Sequence, residues 1–130
     1  MTLSTEEREA LRTAAAALIP ADAPLGMPAA DDALILADIE RSIGRDLDLV
    51  RAALASPLTG DINDWYAKGG MASRTLGRIV LAAYYRDDRV LRALGHEARP
   101  PFPKGYEVEQ GDWGLLEAVK QRSSFWRKDA

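Results

Sequence analysis

The stretch that decides the fold reads DDALILADIERSIGRDLDLVRAAL, residues 31–54. Its apolar residues Leu36, Ile39, Ile43, Leu47, Val50 and Leu54 step by 3, 4, 4, 3 and 4, which lines them along one face of a helix. Asp38, Glu40, Arg41, Arg45, Asp46, Asp48 and Arg51 fill the positions between them, a charged face able to form i,i+3 and i,i+4 pairs. Asp31 or Asp32 supplies the N-cap. The pattern predicts one long amphipathic helix that Pro57 and Gly60 close. Gly44 weakens its middle by about 1 kcal/mol relative to alanine.

Similar periodicity recurs on both sides. Ser4-x-x-Glu7 is a capping-box pattern with Leu3 as a hydrophobic staple, and Leu11, Ala14, Ala15 and Leu18 follow at helical spacing. Pro20 ends that helix, and residues 21–30, with Pro24, Gly26 and Pro28, read as a loop. DINDWYAK, residues 61–68, predicts a short helical turn, and Gly69-Gly70 separates it from the most apolar helix, residues 71–85. There Met71, Leu76, Ile79, Val80, Ala82 and Ala83 leave few positions for solvent, so this helix is expected at the centre. Strand-type alternation is missing throughout. The expectation is an all-α fold, a small irregular bundle of about four to five helices in a single domain over residues 1–130.

The second half changes character. Tyr84 and Tyr85 end the apolar run, Asp87 and Asp88 cap a short helix, RVLRAL, and Gly95 stops it. Pro100, Pro101 and Pro103 then enforce an extended conformation, which predicts a strap over about residues 96–111. Asp112 caps a further helix with Leu115, Leu116, Ala118 and Val119 expected on its inner side. A basic, aromatic tail occupies about residues 121–130.

Composition narrows the chemistry. The net charge of −3 argues against a nucleic-acid binder, whose affinity comes from clustered Lys and Arg. No apolar run approaches the ~18 residues of a membrane span. With no cysteine, disulfides, thiolate nucleophiles and iron–sulfur ligation drop out, and a lone histidine, His96, makes a stable transition-metal site improbable. As a general base His96 would need a cleft and a partner such as Glu97 or Asp88; its plainer reading is a residue just past a helix end. Asp61-Ile-Asn-Asp64 opens like a calcium loop, but Tyr66 stands at the sixth position and Ala72 at the twelfth. Lys68-Gly69-Gly70 lacks the preceding strand and the spacing of a phosphate loop. No catalytic, cofactor-binding or metal-binding residue is expected in this chain.

Aromatic residues crowd the second half. Trp65 and Tyr84 suit a helical core. Phe102, Pro103, Tyr106, Phe125, Trp126 and Arg127 sit on the strap and tail, where a small bundle offers little interior, and are the expected partner-binding residues.

Two segments carry a family resemblance. The string from Tyr84 through Gly95, continued by Pro103-Lys104-Gly105-Tyr106, resembles the closing half of the gluconate 2-dehydrogenase subunit 3 family. Leu18-Ile19-Pro20-Ala21-Asp22-Ala23-Pro24 is similar to that family's opening signature. The resemblance implies a non-catalytic small subunit that binds and stabilises a large flavoprotein dehydrogenase of the glucose-methanol-choline type. That partner would carry FAD and oxidise a sugar, sugar acid or glycoside, while this chain aids its folding and shapes its active-site entrance. In exported relatives the small subunit also escorts the folded partner through the twin-arginine route. The N-terminus here shows neither a twin arginine nor an apolar signal core, so the expectation is cytoplasmic as encoded, and periplasmic if a leader was removed or a partner exports the complex. The alternative is a free-standing helical bundle that binds a small ligand or forms a homodimer. A weaker option is an enzyme pairing Asp or Glu with His96.

Overall fold

The structure is a computed structural model that describes residues 3–98, 105, 107 and 109–123. Among the described residues the fold is all-α, without strands. In order run α1 (Thr5–Leu18), α2 (Ala33–Ser42), a 3-10 turn (Gly44–Asp46), α3 (Leu47–Leu54), α4 (Ile62–Lys68), α5 (Gly70–Tyr84) and α6 (Asp88–Ala93). A second 3-10 turn (Trp113–Leu116) leads into α7 (Glu117–Lys120). Contacts gather into two compact units, Met1–Ala98 and Arg99–Ala130.

The first unit starts as its sequence predicts. Ser4 Oγ accepts the Glu7 amide at 3.1 Å while Glu7 Oε2 accepts the Ser4 amide at 2.7 Å, a complete capping box. Leu3 is buried beside it, and Leu11, Ala14 and Ala15 form the buried stripe of α1. The loop after α1 closes on itself through Asp22 and Met27, which exchange backbone hydrogen bonds of 3.0 and 2.9 Å. The Ala30 amide then donates to the Ile19 carbonyl at 2.9 Å.

The helix predicted over residues 31–54 is two helices. Asp32 caps α2, but Gly44 takes φ +48°, a left-handed conformation only glycine enters cheaply, and the chain bends through a 3-10 turn. Ile43 and Leu47 stay buried on either side, so the apolar stripe survives the bend. The length explains it. A straight helix of these residues would reach about 33 Å, against about 22 Å for α5 at 1.5 Å per residue. Bent, α2 and α3 both lie against α5.

Helix α5 is central, packed by α2, α3 and α4, while α3 also meets α1. Leu76, Ile79, Val80, Ala83 and Tyr84 face inward. Met71 and Ala82, expected inside, are exposed, because α2, α3 and α4 pack on the other side of α5. Gly70, at φ +56°, turns α4 into α5, and the buried Ser73 hydroxyl secures the corner by donating to the Tyr66 carbonyl at 2.6 Å. Trp65 and Tyr84 fill the core with their polar ends satisfied. Trp65 Nε1 donates to the Ser56 carbonyl at 3.1 Å, and the Tyr84 hydroxyl donates to the Pro28 carbonyl at 2.8 Å.

Helix α6 ends as predicted, at Gly95 with φ +79°. The Gly95 amide donates to Arg92 O at 3.0 Å and the His96 amide to Leu91 O at 2.9 Å, the paired bonds of a Schellman stop.

In the second unit Asp112 Oδ1 caps the 3-10 turn by accepting the Gly114 amide at 2.9 Å. Leu115, Leu116, Ala118 and Val119 are exposed rather than inward. One 3-10 turn and one α-turn are too short to present a stripe to a core.

Candidate functional site

Three surface features of the first unit could act on a partner or ligand. The first is an ion-pair clamp between helix starts. Asp32 accepts the Leu34 amide at 3.0 Å to cap α2, and Asp87 accepts the Arg89 amide at 2.8 Å to cap α6. Arg89 reaches both caps. Its Nη2 and Nη1 meet Asp32 Oδ1 and Oδ2 at 2.7 and 3.1 Å, and its Nε and Nη2 meet Asp87 Oδ1 and Oδ2 at 3.0 and 2.9 Å. The Arg89 guanidinium holds both carboxyls below their ordinary range, with the capped helix amides adding to the effect. Both carboxylates in turn raise the Arg89 pKa above the usual arginine value.

The second feature is an open groove of about 920 Å³ between α1 and α2, reaching the start of α6. Its charges are largely spent on one another. Arg86 donates to Asp38 at 3.0 Å and to the Ser42 hydroxyl at 2.8 Å, Arg41 pairs with Asp38 at 3.2 Å, and Arg8 pairs with Glu40 at 3.2 Å. Nearby, Glu7 joins Arg51 at 2.9 Å, and its pKa is lowered first by the Ser4 amide and then by Arg51. A general acid or base works best with a pKa near the operating pH. Glu7, Asp32 and Asp87 are moved away from neutrality, as structural ion pairs are.

The third feature is an apolar pocket of about 240 Å³ where the end of α1 meets α4 and α5. Leu18, Ile19, Ile62, Tyr66, Val80 and Leu81 line it. Tyr66 packs so tightly on Gly77 that a Cβ at residue 77 would lie 2.7 Å from its ring.

The expected partner-binding residues Phe102, Pro103, Tyr106, Phe125, Trp126 and Arg127 lie outside the described residues. His96 is exposed, and its backbone amide, rather than its imidazole, does the structural job at the end of α6. Asp61, which opens the calcium-like spacing, is the N-cap of α4, accepting the Asn63 amide at 3.3 Å. Among the described residues no group of three His, Cys, Asp or Glu stands ready for a metal ion, and no helix is long and apolar enough to cross a membrane.

Sequence reasoning missed the Arg89 clamp, because its partners lie at 57 and 2 residues' separation and only the nearer one is a local pattern. It also missed the exposed arc of α5. The clue was there: Met71, Arg74, Arg78, Leu81 and Tyr85 step by 3, 4, 3 and 4, and two of the five are arginines.

Among the described residues the fold is that of a small helical protein whose charged side chains brace its helices. No family model, curated protein or solved structure matches the chain.

Proposed function

We propose that this chain is a non-catalytic small subunit that binds and stabilises an FAD-dependent sugar or glycoside dehydrogenase of the glucose-methanol-choline type. The flavin and the hydride chemistry belong to the partner. This chain aids the partner's folding and shapes the entrance to its active site, and the strap and tail around Phe102, Tyr106 and Trp126 dock against it.

One observation carries the reading. Within the first unit, the Tyr84–Gly95 part of the closing segment packs against the residues that directly follow the Leu18–Pro24 signature. The Tyr84 hydroxyl donates to Pro28 O at 2.8 Å, in the loop that continues from the Leu18–Pro24 signature. Arg89, inside the closing segment, grips Asp32 just beyond that loop. This proximity supports reading the two resembling segments as parts of one scaffold rather than two chance matches.

A second reading, a free-standing helical module, is favoured by the first unit's self-sufficiency. Among the described residues every buried side-chain polar atom has a hydrogen-bond partner.

The test is replacement of Phe102, Tyr106 and Trp126 by Ala, with association and helicity measured side by side. Loss of flavoprotein association at unchanged helicity fits the subunit reading. Loss of helicity with association spared contradicts it.

A further inference from the structure

The exposed arc of α5 is built like half of an interface. Met71, Arg74, Arg78, Leu81 and Tyr85 step by 3, 4, 3 and 4 along it, the spacing of a seam that a second helix can follow. Met71 is 68% exposed, Leu81 48% and Tyr85 49%, so apolar side chains recur along the outer arc of the central helix. Met, Tyr and Arg are also the residue types enriched at interface cores.

Charge indicates what would lie there. Helix α5 carries two arginines and no carboxylate, in a chain whose net charge is −3. Arg74 has no ion pair among the described residues. Arg78 touches Asp46 at 2.6 Å but leaves 66% of its side chain exposed. The two lie one helical turn apart, a cationic pair set between apolar neighbours. Beside them, Leu81 also lines the 240 Å³ apolar pocket, which has room for one bulky side chain.

We propose that this face is the docking site for an acidic amphipathic helix of a partner protein. Leucine or aromatic side chains of that helix lie along Met71, Leu81 and Tyr85, and one of them enters the pocket between α1, α4 and α5. Its carboxylates meet Arg74 and Arg78. The proposal concerns residues of the first unit and does not rest on the flavoprotein reading.

The test uses the full chain and two synthetic helical peptides of three heptads. Both carry leucine at the seam positions; one is flanked by glutamate and the other by lysine. The glutamate peptide is expected to bind at least about tenfold more tightly, with amide chemical shifts confined to α5 and to Leu18, Ile19 and Ile62. Arg74→Glu should reverse that preference, and Leu81→Ser should weaken the glutamate peptide about tenfold. Both variants should keep the parent's circular dichroism, since both positions face solvent. Equal binding of the two peptides, no binding, or shifts centred elsewhere would overturn the proposal. So would sedimentation showing that the chain alone forms a dimer that protects Leu81, which makes a second copy the occupant.

Discussion

Arg89 and Asp32, 57 residues apart, meet in a two-pronged ion pair, Nη2 to Oδ1 at 2.7 Å and Nη1 to Oδ2 at 3.1 Å. Because Asp32 caps α2 and Asp87 caps α6, one guanidinium fastens the starts of two helices that no loop connects directly. Replacing Arg89 with Ala should cost about 1–2 kcal/mol, the modest end for charged hydrogen bonds because 40% of the Arg89 side chain is exposed. The melting temperature should fall by about 5 °C or more. Lysine at this position should restore only part, since an ammonium cannot match the planar fork.

The same clamp sets an acid limit. With both carboxyls held below their ordinary values, the unfolded chain takes up protons first as pH drops. The stabilisation is therefore complete above about pH 5 and fades as pH falls through the lowered values. Arg89→Ala should flatten this slope in melting curves recorded from pH 6 to pH 2. At the alkaline end Tyr84 behaves in the opposite sense. Burial raises its phenol pKa, so the unfolded chain ionises first and stability declines above about pH 10. Tyr84→Phe should remove that decline while costing about 1 kcal/mol at neutral pH through the lost bond to Pro28.

Gly44 gives opposite expectations for a straight and a bent helix. In a continuous helix Gly44→Ala would gain about 1 kcal/mol. At φ +48° it should instead lose about 1 kcal/mol, although a Cβ there meets nothing within 4 Å. Asparagine, which tolerates the left-handed region, should cost less. Urea unfolding of the three proteins checks the order.

These residues also show where the sequence could be read. The start of α1 is legible because Ser4 and Glu7 satisfy each other within four residues, and Gly95 is legible because a left-handed stop follows α6 immediately. The caps Asp61 and Asp87 are local in the same way. The bend at Gly44 is not legible, since an apolar stripe stepping by 3 and 4 looks the same on one helix or on two that share a core. Met71 and Ala82 misled for a related reason: an apolar side chain signals a face, and only the count of neighbouring helices decides which arc of α5 is covered. The reach of Arg89 to Asp32 depends on packing that no local pattern encodes. The expected partner-binding residues Phe102, Pro103, Tyr106, Phe125, Trp126 and Arg127 rest on composition and position along the chain alone, and they lie outside the described residues.

The central claim is that this chain works as the small partner of a flavoprotein. Co-purification from the native cell, using a tag on this chain, followed by size exclusion with visible absorbance, tests it most directly. A small-subunit role predicts a stable complex containing one large protein, with the absorbance bands of bound oxidised FAD bleached on adding the sugar substrate. A monodisperse monomer that unfolds cooperatively and carries no flavin-containing partner would contradict it.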